Sequence, residues 1–288
     1  MLRVGFGVLF LWLGLLKVLP GVSPAEPLMR ASMPAFLPID TFIRFAAGWE
    51  ILAGLGFISG RWPRITLLMV FATMCITLSI PIMAPAWVWR SFPFLLTFEG
   101  EYVVKDLVIV TSALVLAATL RGREMAIERR WMAGLPIERA FKIYDRLERP
   151  FLDWSARYSL RLLRLGLGVV FLWFGALKLV PGGDAQESLL RAVMPFEPFN
   201  VFLTGLGIVE ILLAVGLLTR WQRKLSATVA VVLFGFSIVV VLARADIAFS
   251  LFPIVLTLEG QHVLKNLIFL GAAMVVLSAE REQLTFGR

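Results

Sequence analysis

The chain has a single cysteine, Cys75, and a single histidine, His262. One thiol forms no internal disulfide and no thiolate metal cluster. One imidazole cannot supply the paired ligands of a membrane haem or a histidine-rich metal centre. No metal is expected in the chain, so any redox metal would sit on a partner. Charge is scarce as well: 17% of the 288 residues are charged against 59% hydrophobic, and mean hydropathy is +0.85. That leaves too little polar surface to coat a soluble globule of this length. The composition reads as a multi-pass membrane protein, with the lipid bilayer as its first partner. The net charge of +8 does not point to nucleic acid. The basic residues are confined to short segments between apolar runs, which is the pattern of membrane topology.

What the chain does contain is a repeat. Leu2 to Gly21 matches Leu163 to Gly182 at 13 of 20 positions, including Arg3/Arg164, Gly14/Gly175, Lys17/Lys178 and Pro20/Pro181. Met33-Pro34 recurs at Met194-Pro195, Glu50-Ile-Leu at Glu210-Ile-Leu, Arg61-Trp62 at Arg220-Trp221, and Thr97-x-Glu99-Gly100 at Thr257-x-Glu259-Gly260. Self-similarity at a fixed offset marks a duplicated structural unit. A helical run of about 20 apolar residues spans the hydrocarbon layer, and each half holds four: 3–20, 40–59, 64–83 and 102–120, then 164–181, 199–218, 225–243 and 262–279. The expected fold is an all-α membrane protein of eight transmembrane helices, arranged as two parallel-related four-helix bundles. Residues 1–120 form the first repeat, 121–160 a linker and 161–288 the second repeat. The first run imitates a signal peptide, but its internal copy at 164–181 cannot be a cleaved leader.

Lysine and arginine crowd into alternate segments, so the positive-inside rule puts both termini and the linker on the cytoplasmic side of a bacterial-type inner membrane. The linker carries Trp131, Phe141, Tyr144, Leu147, Phe151 and Trp154 at spacings near three and four. It reads as an amphipathic helix or helix pair on the cytoplasmic face.

Ionisable residues inside the apolar runs are costly, roughly 2.5–3.5 kcal/mol on insertion scales, so they survive when paired or facing a wet cavity. Here they are duplicated: Lys17, Glu50, Glu99 and Lys105, then Lys178, Glu210, Glu259 and Lys265. The topology puts all eight in the outer half of the bilayer, as substrate-binding groups or as structural ion pairs. The lysines of the same half are the nearest partners for Glu50 and Glu210. The apolar segment 87–100 and its copy 247–260 are expected to fold back as caps roofing the charges. Trp12, Trp173, Tyr102 and His262 are candidate pocket-lining residues. The halves diverge at Tyr102/His262, Asp106/Asn266 and Arg44/Thr204, so their sites need not be equivalent. Gly5, Gly7 and Gly14, with Gly166, Gly168 and Gly175, read as helix-packing positions.

Three patterns, Arg-x-x-x-Gly-x-x-Phe-Leu-Trp-x-Gly-x-x-Lys, Glu-Ile-Leu-x-x-x-Gly-Leu and Leu-Lys-Asn-Leu, each in a four-helix context, resemble the DoxX family. The family unit is a single four-helix copy, so this chain resembles two fused copies covering all but the linker. The resemblance implies an integral membrane protein and, through the DoxD-like branch, a quinone-linked oxidoreductase subunit with an outer-face redox or binding partner. Quinone would be the cofactor, none being covalently bound. A Lys/Glu pocket suits an anionic substrate or a quinone headgroup, the glutamate taking protons while the lysine polarises an oxygen. Two other classes fit the same charges and linker: a transporter of small anions or protons, and a non-catalytic membrane scaffold.

Overall fold

The computed structural model describes residues 1–34, 36–121, 138–194, 197–219 and 221–286, those of 138–145, 147 and 281–286 by their backbone alone. Each half runs through the same series of elements. In the first, α1 (Leu2–Val18) is followed by a short α2 (Glu26–Ser32) and two long helices, α3 (Ile39–Ser59) and α4 (Pro63–Met83). A one-turn α5 (Pro85–Val88) then leads into a hairpin of β1 (Trp89–Ser91) and β2 (Leu95–Leu96). The half closes with α6 (Phe98–Val104) and α7 (Asp106–Ala118), set apart at Lys105. The second half repeats the plan as α8 (Glu138–Leu179), α9 (Glu187–Val193), α10 (Phe199–Leu218), α11 (Arg223–Ala243), α12 (Ala245–Ala248), β3 (Phe249–Leu251), β4 (Val255–Leu256), α13 (Leu258–Leu264) and α14 (Asn266–Phe286).

Among the described residues six helices are long and apolar enough to cross a membrane: Ile39–Ser59, Pro63–Met83, Glu148–Leu179, Phe199–Leu218, Arg223–Ala243 and Leu258–Glu280. Eight were expected. The two that fall short are α1, with 17 residues, and α7, which has 13 once the chain tightens at Lys105. Large apolar side chains stand exposed at helical spacing, Leu52, Leu55 and Ile58 on α3 and Val232, Phe236 and Val239 on α11. Such stripes suit a lipid environment, where a helix can be apolar all round.

Residues 122–137 of the expected linker, with Trp131, lie outside the described residues. From 138 onward the chain forms no separate surface helix: α8 passes through position 160 without a break, 42 residues in all, or about 63 Å at 1.5 Å per residue. Its first half packs back on the first repeat. Arg64 Nε donates to Glu148 Oε1 at 2.8 Å, and Phe151 meets the edge of Phe71 at 5.7 Å.

Glycine lets the paired helices approach. A Cβ on Gly14 would lie 2.9 Å from Ala47 O and 2.8 Å from Ile51 N of α3, and one on Gly175 would lie 2.8 Å from Gly207 O of α10. Both are closer than Cβ atoms sit, so the α1–α3 and α8–α10 pairs need glycine at the contact. The two repeats also interlock. α7 packs along α8 and α1 packs along α14, and Trp12 Nε1 donates to Ile254 O as Trp173 Nε1 donates to Phe94 O, both at 2.9 Å. Each first-helix tryptophan thereby holds the hairpin turn of the other repeat.

Candidate functional site: two charged cavities

The Thr-x-Glu-Gly motif positions the last helix of each half. Thr97 Oγ1 accepts from Gly100 N at 2.9 Å and Thr257 Oγ1 from Gly260 N at 3.0 Å, each capping the helix start. A Cβ on Gly100 would collide with Val88 O, and one on Gly260 with Ala248 O. Glu99 and Glu259 are therefore first-turn acids beside the positive end of a helix. They are half-buried and line neither cavity described below.

The cavity of the first repeat measures about 260 Å³. Phe10, Phe42, Phe45 and Trp49 form much of its apolar wall, and Lys17, Glu50, Tyr102, Asp106 and Lys265 gather the polar groups. Lys17 Nζ donates to Glu50 Oε2 at 2.6 Å, both residues buried. Lys265 comes from the other repeat: its Nζ donates to Asp106 Oδ1 at 2.6 Å and to Tyr102 O at 2.8 Å, and lies 3.3 Å from the centre of the Tyr102 ring. The short helix α2 forms part of the wall. It is tied down at Glu26, whose carboxylate accepts from Arg30 Nη2 at 2.7 Å and from Gly21 N at 2.9 Å. Those bonds, Arg30's first, hold the Glu26 carboxyl below the ordinary carboxylate range.

The cavity of the second repeat measures about 240 Å³ and is lined by Phe171, Phe174, Phe202, Phe234 and Phe269 around Lys105, Lys178, Glu210, His262 and Asn266. Lys178 Nζ stands 3.0 Å from Glu210 Oε2 and 3.8 Å from Asp184 Oδ2. Lys105 crosses from the first repeat, donating to Asn266 Oδ1 at 3.0 Å and His262 O at 3.3 Å. The His262 ring lies 5.0 Å from that of Phe98, centre to centre.

The structure thus brings six of the eight repeated charges to two cavities, but in an arrangement that depth alone did not predict. Lys17 and Lys178 pair within their own halves, whereas Lys105 and Lys265 trade places. Tyr102 and His262 line cavities. Trp12 and Trp173 line neither of these two; they are half-buried and engage the opposite hairpins, Trp12 in a separate apolar pocket beside Pro253 and Ile254. The hairpins roof neither cavity, and α2 and α9 flank the charged groups instead.

Three participants escaped the sequence reading. Asp184 extends the Lys178 pair, and the fully buried Glu101 accepts from Gln186 Nε2 at 2.5 Å and Ala185 N at 3.1 Å, clamping the loop that carries it. Gln261, equally buried, stands at the matching place in the second repeat. Asp184 and Glu101 have Ser23 and Gln261 as counterparts, so a search for repeated charges passes over them.

Fold and site together define a helical protein with membrane-length helices and two lysine–carboxylate cavities. No protein-family model, curated protein or solved structure matches the chain.

Proposed function

We propose that the chain is an eight-span protein of a bacterial-type inner membrane that binds a quinone headgroup, as the membrane subunit of a quinone-linked oxidoreductase of the DoxX kind. In this reading α1 and the joined α6–α7 complete the crossings, both termini and the linker face the cytoplasm, and the lysine–carboxylate cavities lie toward the outer side. Electrons come from an outer-face partner protein.

The observation that carries the reading is the make-up of the cavities: walls of phenylalanine and aliphatic side chains, with ammonium and carboxylate groups gathered among them. Ligand sites generally pair apolar walls with a few placed polar groups. At about 240–260 Å³ each is smaller than the roughly 300–1,000 Å³ of drug-sized pockets. That volume suits a single substituted ring whose tail continues into lipid. The donor set also fits: lysine ammonium groups suit carbonyl oxygens, and a glutamate beside a lysine suits proton exchange.

When bound, a quinone supplies the two-electron chemistry, taking two electrons and two protons to become the quinol. The chain's own part is to place Lys105 or Lys178 Nζ against an oxygen, to exclude water with the phenylalanine wall, and to hold or release a proton at Glu210 Oε2. Saturable binding of decyl-ubiquinone to the purified chain tests this reading. The double variant Glu50→Gln/Glu210→Gln, folded by gel filtration and circular dichroism, is expected to weaken binding at least tenfold. Unchanged affinity in that variant would reject the cavities as the quinone site.

A further inference from the structure

The two cavities are built to one plan and differ where it matters for a ligand. In the first, every lysine has a carboxylate: Lys17 has Glu50 and Lys265 has Asp106, both at 2.6 Å. In the second, the residue corresponding to Asp106 is Asn266, so Lys105 meets an amide oxygen instead of a carboxylate. Among the described residues no carboxylate comes within 4 Å of Lys105. Ser237 fixes the amide's direction by accepting from Asn266 Nδ2 at 3.0 Å, which leaves Oδ1 turned to the lysine. An ammonium has three donors, and Lys105 spends two, on Asn266 Oδ1 and His262 O.

The residue corresponding to Tyr102 is His262, which is 1% exposed, lines the cavity, and has no hydrogen-bond partner at either Nδ1 or Nε2. Glu210 Oε2 lies within ion-pair distance of Lys178 but accepts no aligned hydrogen bond. No side chain lining the first cavity is among those with buried, unpartnered nitrogen or oxygen atoms. An unmet buried polar group costs about 1–3 kcal/mol. Two such residues in one cavity, beside a lysine with no carboxylate within 4 Å, mark a place where a ligand supplies the missing partners.

We infer that ligand binding is confined to the second cavity, where Lys105 and His262 recognise a carbonyl oxygen, and that the first cavity is a copy sealed by its own ion pairs. The inference rests on the quinone reading above and assigns it to one place. Lys105 presents its remaining N–H to the oxygen, and His262 offers a ring N–H beside it. The first repeat contributes the lysine and the second the imidazole, so the site exists only where the repeats meet.

The test uses the full chain in lipid nanodiscs, with decyl-ubiquinone as probe and two readouts: stoichiometry, and the ¹⁵N resonances of the only histidine. One equivalent is expected to bind and to shift the histidine signals. Asn266→Asp copies the Lys265–Asp106 pair and so keeps a fold already present in the chain; it should weaken binding at least tenfold, as should His262→Phe. Tyr102→His/Asp106→Asn, which gives the first cavity the second's groups, should add a second equivalent. Two equivalents in the unaltered chain, or one equivalent with unmoved histidine signals, overturns the assignment while the quinone reading stands. Affinity unchanged in both Asn266→Asp and His262→Phe overturns it as well. No saturable binding at all removes the quinone reading and the assignment together.

Discussion

Removing one partner of a buried ion pair leaves a stranded charge and costs about 3–5 kcal/mol, whereas replacing both with apolar groups is often neutral. Lys17 and Glu50, 2.6 Å apart and buried, meet that condition. Lys17→Met is expected to lower the thermal unfolding midpoint in detergent sharply, and Lys17→Met/Glu50→Leu to restore most of the loss. A double variant as unstable as the single one would mean that the pair does more than neutralise itself. Lys17, Glu50, Lys178 and Glu210 were legible in the sequence because a charge in an apolar run demands a partner. Glu99 and Glu259 line neither cavity, and around them it is the repeated threonine and glycine whose recurrence follows from the helix cap and the tight turn. The exchange of Lys105 and Lys265 was not legible, because depth along a helix says nothing of which neighbouring bundle a side chain enters.

The tightest helix contacts also place the charges. Gly14 sits one turn before Lys17 on α1, and its contact with Ala47 and Ile51 is what brings α1 within reach of Glu50. Gly14→Leu must push α3 away, and overpacking of this kind costs about 1–3 kcal/mol. A drop in the thermal midpoint of the purified variant is the expected result, and an unchanged midpoint would show that α1 and α3 can separate freely. The glycines of the first helices were legible as packing residues because small residues at helical spacing have few other uses in an apolar run. The hairpins were legible as non-helical segments rich in aromatics, but their docking on the opposite repeat was not. The tryptophan bonds from Trp12 and Trp173 depend on how the halves meet. The length of α8 was hidden too: the linker was legible as helical, but charged residues through 138–160 set it apart from the apolar run that follows and conceal that one helix continues through both and packs on α4 and α7.

At the scale of the molecule, the lone cysteine reports on the surroundings of α4. Cys75 is exposed in the middle of that helix, and a thiol in hydrocarbon does not form the thiolate that reacts. A charged, membrane-impermeant maleimide should leave it unlabelled in sealed proteoliposomes and label it after denaturation in SDS. Labelling before denaturation would place that face of α4 in water. The duplication was the most legible feature of the chain, and the recurring series of elements follows it. What the repeat could not disclose is that neither half completes its own cavity.

The traded lysines carry a consequence for how such a chain can change over time. In a pair of identical subunits any substitution appears twice, so a residue that opens one cavity opens both and strands two lysines at once. Joining the halves in one chain lifts that coupling. Asp106 can face Lys265 while position 266 holds asparagine and position 262 histidine, so the two copies need not carry the same groups.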